Sequence, residues 1–263
     1  MPRAHYERQR RMWDELAALD PMWTILSRPD KVGNQWDDAE FFATGEREID
    51  NVMSFVRSAG VVLSTDLALD FGCGIGRLTR ALAKRFTSCV GYDISPVMIE
   101  LATERNRDLP NCRWLVNEAD DLQPFASNSV TFVYSNIVLQ HLEPAVAQSY
   151  IAEFVRVLTV GGVAVFQLPD VRPGTLRRRI REALMRVLFA VPRPLVNAYR
   201  RVRYSEVEQS TLCNLPKRVA QMHGALPNAV EEVVRSAGAR VVARDETGDA
   251  GPDWRSFRYC IVK

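Results

Sequence analysis

Asp70-Phe71-Gly72-Cys73-Gly74-Ile75-Gly76 and Asp93 are the residues of this chain whose types and spacing suit a nucleotide-like ligand. Glycine turns sharply and lets bare N–H groups approach a ligand, and a nucleotide-like cofactor lies over such a turn at the C-terminal edge of a sheet. A glycine inside a regular element costs about 0.5–1 kcal/mol against alanine, so three alternating glycines mark more than a plain strand–helix turn. Asp93 ends the next apolar run, where a carboxylate can accept both hydroxyls of a ribose. The dinucleotide fingerprint G-x-G-x-x-G is not met. The sixth position from Gly72 is Arg77 and the third glycine is Gly76. The pattern is therefore D-x-G-x-G-x-G, which disfavours a hydride-transfer cofactor.

The elements that must hold these residues alternate. Residues 1–45 read as helix and loop rich in aromatics, and Ile49, Val52, Met53 and Val56 recur at helical spacing over 46–59 until Gly60 stops the helix. Strands are expected at 67–71, 88–92, 112–116, 129–134, 163–168, 240–244 and 256–262. Helices are expected at 78–86, 96–107, 144–158 and 228–237. Ser95 suits an N-cap, and Pro96 and Pro144 suit first helical positions. Strands alternating with helices of this length predict an α/β fold of βαβ units, a parallel sheet with helices on both faces. Two parts are expected: a helical N-terminal segment over 1–60, and a domain over 61–263 carrying a helical basic insert at about 170–225.

The chain has 263 residues, is 47% hydrophobic and 25% charged, and carries a formal net charge of +2. Those fractions exclude wholesale disorder and low-complexity classes. The five cysteines are widely spaced with no C-x-x-C, which points to reduced thiols rather than a disulfide framework or zinc site. Residues 1–20 contain no apolar signal core, no run is apolar enough to span a bilayer, and only His5, His141 and His223 occur. A cytoplasmic protein without a metal site is expected. The net charge hides an asymmetry, because residues 172–203 hold ten arginines and one acid, net +9, leaving the rest near −7. Leu176, Ile180, Leu184, Val187 and Leu188 share one helical face there, so the insert is a basic amphipathic helix.

Five segments in order carry a family resemblance: LALDFGCGIGRLTRAL (67–82), VGYDIS (90–95), NEADDL followed by PF (117–125), NSVTFVYSNIVLQHLEP (128–144) and LTVGGVAVFQLP (158–169). Together they resemble the class I S-adenosylmethionine-dependent methyltransferases, and a glycine loop alone would not have sufficed. The resemblance implies a Rossmann-like doubly wound sheet of seven strands, the last antiparallel, and S-adenosyl-L-methionine as cofactor. It implies that Asp70 and Gly72 hold the amino-acid part, that Gly74 and Gly76 let the backbone pass beneath, and that Asp93 takes the ribose. It places Ile94 and Met98 beside adenine, Glu118 and Ala119 at the adenine edge, and Asn136 and Gln140 near the methionine end. Glu118 stands where the family commonly has Asp, with Asp120 nearby. DPMW (20–23) and WDDAEFFATGEREI (36–49) resemble a bacterial subgroup acting on small molecules and sugars, in which this segment closes over the cofactor. That suggests Trp36, Phe42 and Thr44 as lid residues; packing of the first helix onto the sheet is the competing reading for the aromatics.

Methyl transfer from a sulfonium is an in-line displacement, and a hydroxyl nucleophile also needs its proton removed. His141 follows the fourth strand, where ligands of open α/β sheets gather, and His223 follows the insert; both are candidate bases, with Asp170 and Glu143 behind them. Each also has a bland reading as a packing or loop-orienting group. The expected reaction is O-methylation of a hydroxylated small molecule, sugar or oligosaccharide, such as a polymethylated polysaccharide precursor. Trp36, Gln140, His141, Gln167, Tyr204 and His223 are the substrate-side candidates. The rivals are a lipid or quinone methyltransferase touching a membrane through 172–203, and a non-catalytic regulatory protein that binds the cofactor. Nucleic acid is disfavoured: Ser135-Asn136-Ile137-Val138 lacks the Asn/Asp-Pro-Pro-aromatic motif of base-amine methylation, and no recognition domain is appended. Monomer and homodimer both remain open.

Overall fold

The computed structural model describes residues 3–170, 221–251 and 254–263. The arginine-rich stretch 172–203, Tyr204 and most of the expected helical insert lie outside the described residues.

Seven strands form one sheet: β1 (Leu67–Phe71), β2 (Ser88–Asp93), β3 (Cys112–Val116), β4 (Val130–Ser135), β5 (Leu158–Pro169), β6 (Arg240–Thr247) and β7 (Ser256–Val262). Their order is β3-β2-β1-β4-β5-β7-β6, with β7 antiparallel to both its neighbours. The order reverses direction between β1 and β4, so a crevice opens at the C-terminal ends of those strands.

The described helices are α1 (Arg3–Leu19), α2 (Pro21–Ile25), α3 (Asp38–Ser58), α4 (Arg77–Ala83), α5 (Pro96–Arg105), α6 (Pro144–Val157) and α7 (Pro227–Ser236). The strands' period of two divides the core. Leu69, Phe71, Val133 and Phe166 face α6 and α7 and pack on Ile151, Phe154, Val230 and Val234. Ala68, Phe132, Tyr134 and Val165 face α3 and α4 and pack on Ile49, Val52, Leu78 and Leu82. Both faces of the sheet are thereby removed from water, as parallel strands require.

Three of the boundaries that differ from the sequence expectation have a visible cause. α3 starts at Asp38, well before 46, because the Asp37 side chain caps it by accepting from Glu40 N at 2.9 Å and Phe41 is fully buried. β5 starts at Leu158: the Gly161-Gly162 pair lies within the strand, with Gly161 at φ 78°. β6 runs on to Thr247, since its pairing with β7 continues to Thr247↔Ser256.

Candidate functional site

β1 and β2 deliver the glycine loop and Asp93 to the crevice. Gly72 N–H and Cys73 N–H donate to Tyr92 C=O at 2.7 and 3.3 Å, which folds the loop back over β2. Gly72 sits at φ 79°, and a Cβ there would come within 2.2 Å of Val138 Cγ2. Only glycine fits so close a crossing of two backbone segments. Asp93 Oδ2 accepts from Gly74 N–H at 2.8 Å and Oδ1 from Ser95 N–H at 2.9 Å. Burial of this carboxylate raises its pKa, against the lowering effect of those two backbone donors. Ser95 in turn caps α5, accepting from Met98 N–H at 3.1 Å.

Behind β2 lies Asn117, 4% exposed, whose side chain accepts from Tyr92 OH and donates to Tyr150 OH at 2.8 Å. Its C=O accepts from Tyr6 OH, on α1. α1 thus forms a roof: Ser95 OH donates to Asp14 at 2.5 Å, Gln9 Nε2 donates to His141 C=O at 2.9 Å, and Trp13 meets the His141 ring edge-on at 5.3 Å. Beneath it is a cavity of about 120 Å³.

Of the residues singled out in the sequence, Gly72, Gly74, Asp93, Ile94, Met98, Asp120, Asn136 and His141 line this cavity together. Asp70, Gly76, Glu118, Ala119, Gln140, Trp36 and Thr44 lie outside its lining. Asp70, 1% exposed, accepts from Thr79 OH at 2.6 Å on the α4 side, and burial pushes its pKa up to about 7. Gly76 is the N-cap of α4. Trp36 is 6% exposed and packs edge-on against Phe41, with Met22, Ile75 and Met98 in the same cluster, so burial rather than ligand contact accounts for it. Phe42 joins that cluster at its margin. Gln140 is buried one step back, accepting from Gln167 Nε2 at 3.0 Å.

His141 lies beside the cavity with its pKa pushed down to about 4, first by burial, with the charge of nearby His223 a lesser cause; a backbone contact from Gln221 opposes them. It is therefore neutral at pH 7. His223 is half-buried and its N–H donates to Gln140 C=O at 2.7 Å.

The wall between β4 and α3 holds residues that sequence reasoning missed. Glu48 on α3 accepts from Arg77 Nη2 at 2.8 Å, from Tyr134 OH at 2.8 Å and from Asn136 Nδ2 at 2.8 Å. Arg77 is 3% exposed and lines the cavity, and its Nη1 donates to Thr44 OH at 3.3 Å. Two buried atoms of this network, Arg77 Nε and Asn136 Oδ1, have no partner among the described residues. The only sequence signal for Arg77 is its place one residue after the last glycine, where it serves solely to reject the dinucleotide pattern. Ile137, a β-branched residue at φ 60°, follows Asn136, and its N–H donates to Gln167 Oε1 at 3.2 Å. Such a conformation persists only where the surroundings fix it.

On the other side of the same wall is an open groove of about 740 Å³ between α3, β4 and the β6–β7 turn. Glu48, Asn51, Tyr134, Thr247, Asp249 and Arg258 line it, and Asn136 belongs to both groove and cavity. Among the described residues no cluster suits a metal ion, and no helix is long and apolar enough to cross a membrane.

Comparison with known proteins agrees with this geometry. A family model described as a methyltransferase domain matches residues 69–166. The chain is 31% identical over 146 residues to the biotin biosynthesis bifunctional protein of Cellvibrio japonicus, covering 52% of this chain and 28% of that protein. It is 34% identical over 106 residues to the trans-aconitate 2-methyltransferase of Methylobacterium radiotolerans, covering 40% of this chain and 38% of the relative. It thus spans well under half the length of either relative. The fold matches magnesium protoporphyrin IX methyltransferase of Synechocystis, a structure with bound SAH, at a TM-score of 0.59 and 15% identity, over 98% of this chain and 99% of that one. Residues 69–166 are thus similar to a methyltransferase domain, and the sheet has the fold of a solved methyltransferase.

Proposed function

We propose that the protein transfers a methyl group from S-adenosyl-L-methionine to a hydroxyl of a small molecule, with a sugar or oligosaccharide as the leading acceptor. The observation that carries the cofactor half is the Asp93–Gly74 hydrogen bond, which locks the ribose-side carboxylate to the glycine loop at the mouth of one cavity. The residues fit the group: a turn that tolerates no Cβ, a carboxylate at the end of β2, and a buried donor and acceptor left without partners opposite it.

When bound there, the cofactor supplies an electrophilic methyl on a sulfonium. The chain's residues then orient and exclude water. Asp93 holds the ribose hydroxyls, Ile94 and Met98 flank the adenine, and the loop after Asn117 borders its edge through Asp120, which lines the cavity where Glu118 and Ala119 do not. Residues 1–60 act as a lid, with Tyr6, Gln9 and Trp13 of α1 as its working face. His141 is neutral, but its depressed pKa makes it a weak proton acceptor, since a general base works best near the operating pH. His141 is therefore read as orienting the acceptor; His223 is the other candidate for the hydroxyl proton, although it lines neither the cavity nor the groove.

The groove supports a polar acceptor. All of its lining side chains except Phe55 carry hydrogen-bonding or charged groups, and it adjoins the cavity at Asn136. Such a lining suits a polyhydroxylated molecule better than a quinone or lipid tail.

Calorimetry with S-adenosylhomocysteine, followed by S-adenosylhomocysteine release against panels of sugars, quinones and amines, tests both halves. Binding with turnover on hydroxylated acceptors is expected. Binding with no turnover on any panel would favour the regulatory rival, and no binding would remove the cofactor reading.

A further inference from the structure

We infer that Cys89 and Cys112 form a modification site: a thiol pair that a hydroperoxide converts into a reversible disulfide, stapling the edge strand β3 to β2. The inference stands apart from the cofactor reading and from the choice of acceptor.

Five widely spaced cysteines give no sign of pairing in the sequence, but the sheet brings two of them side by side. Cys89 and Cys112 are register partners in the parallel pair β2–β3, and both are free thiols. Neighbouring strands lie about 4.7–4.9 Å apart, and partner residues project on the same face. A disulfide spans Cα separations of about 4.4–6.8 Å, so closing this one needs little backbone movement. Both side chains lie on the face covered by α3 and α4, Cys89 within that core cluster and Cys112 against it. The backbone is held there. Cys89 N–H donates to Asn111 C=O at 2.9 Å, and the Asn111 side chain donates to Ala83 C=O at 2.9 Å and Phe86 C=O at 3.2 Å.

The two thiols are unlike, which sets the order of events. Cys89 is 1% exposed, and hydrogen bonding with Cys112 together with burial raises its pKa. Cys112 is half-buried, and its pKa is lowered by hydrogen bonding with Cys89 and by the charge of Arg80, against the raising effect of burial. The thiolate is the form that attacks an oxidant, so Cys112 attacks and Cys89 resolves. The Cys112 thiolate attacks one peroxide oxygen: an S–O bond forms, the O–O bond breaks, and the departing oxygen takes up a proton and leaves as water or an alcohol. The Cys89 sulfur then attacks the Cys112 sulfur: an S–S bond forms, the S–O bond breaks, and the hydroxide leaves with the Cys89 proton as water. The two thiols together lose two electrons, and the peroxide gains them. Cys73 and Cys260 are 4% and 0% exposed and burial raises both of their pKa values, so neither competes. β3 ends the sheet and pairs only with β2, and the bridge closes a loop over 90–111 that restricts the unfolded chain.

The test treats the whole reduced chain with hydrogen peroxide, blocks the remaining thiols with N-ethylmaleimide and digests with trypsin without reductant. Cleavage after arginine puts Cys89 in peptide 86–105 and Cys112 in peptide 108–113. Mass spectrometry is expected to find the two joined as one species that dithiothreitol separates. The urea midpoint of the oxidised chain should rise by about 1 M or more and fall back on reduction. In Cys112→Ser the loss of the Cys89 thiol should slow at least about tenfold. In Cys89→Ser, Cys112 should still oxidise and be trapped by dimedone as the sulfenic acid. A bridge from either residue to Cys73, Cys213 or Cys260 would overturn the inference, as would wild-type Cys112 passing to the sulfinic acid with Cys89 still free. So would thiols that resist peroxide until urea unfolds the chain. An unchanged urea midpoint would remove the staple, and equal oxidation of Cys89 with and without Cys112 would remove the order of attack.

Discussion

Replacing Gly72 by alanine isolates the close crossing of the glycine loop and the segment after β4. Gly72 is at φ 79°, so an alanine there pays about 1–2 kcal/mol for a left-handed backbone, offset by about 0.4–1 kcal/mol of lost unfolded-state freedom. The added Cβ would also stand 2.2 and 2.8 Å from the two Val138 methyls, and overpacking of that kind costs about 1–3 kcal/mol. The total is about 1–5 kcal/mol. Gly60 is the built-in control. It has φ 72° with nothing within 4 Å of where an added methyl would stand, so Gly60→Ala carries only the backbone cost, about 1 kcal/mol. Urea unfolding at pH 7 should place Gly72→Ala about 1–3 kcal/mol below Gly60→Ala, and Val138→Ala in the Gly72→Ala background should recover most of that gap. S-Adenosylhomocysteine affinity should fall in Gly72→Ala and recover with it, because Val138 is two residues from Asn136. Equal destabilisation by the two glycine substitutions, or no rescue by Val138→Ala, would refute the close-crossing argument.

Two buried titrations act in opposite directions on stability. Asp70 has its pKa raised to about 7, so between pH 4 and 7 the unfolded chain ionises first and stability falls as pH rises, by up to about 4 kcal/mol. Asp70→Asn should remove that loss, its stability relative to wild type improving from pH 5 to pH 7.5 in urea melts. His141 has its pKa lowered to about 4, so the unfolded chain binds the extra proton first and stability falls as pH drops from about 6.5 through 4, by up to about 3 kcal/mol. His141→Gln should lessen that acid sensitivity; an unchanged pH slope in either variant would contradict the burial argument. Tyr6→Phe removes the hydroxyl that α1 donates to Asn117 C=O, and stopped-flow release of S-adenosylhomocysteine should quicken about two- to tenfold with little change in the melt.

The sheet was legible because its signals are local. The apolar runs before Gly72, Asp93 and Asn136 each end at the C-terminal edge, and the order of those runs fixed the crevice. Pro96 and Pro144 open α5 and α6 as their ring geometry favours. What was not legible depends on contacts far apart in the chain. Glu48 meets Asn136 across 88 positions and Arg77 across 29, and Tyr6 meets Asn117 across 111. No periodicity announces such pairs. Trp36 shows the converse: an aromatic that suggested a lid proves to be 6% exposed in a cluster under α2, because a large ring near a site is usually buried before it is functional.

The size of the cavity then bears on how the site works. Pockets for drug-sized ligands run about 300–1,000 Å³, and about 120 Å³ is free beneath α1 here. The missing room cannot come from the β1 loop, which is pinned by Asp93, Gly74 and the Tyr92 carbonyl. It cannot come from the wall opposite, where Glu48 makes three hydrogen bonds at 2.8 Å. The roof is different. α1 meets the cavity through Tyr6, Gln9 and Trp13 and is tied down by single hydrogen bonds, each worth about 0.5–1.5 kcal/mol net. The proposed lid role requires α1 to yield, breaking the hydrogen bonds of Tyr6, Gln9 and Asp14. Deleting residues 3–19 should speed both association and release of S-adenosylhomocysteine, and slower association would show that the helix builds the pocket instead of covering it.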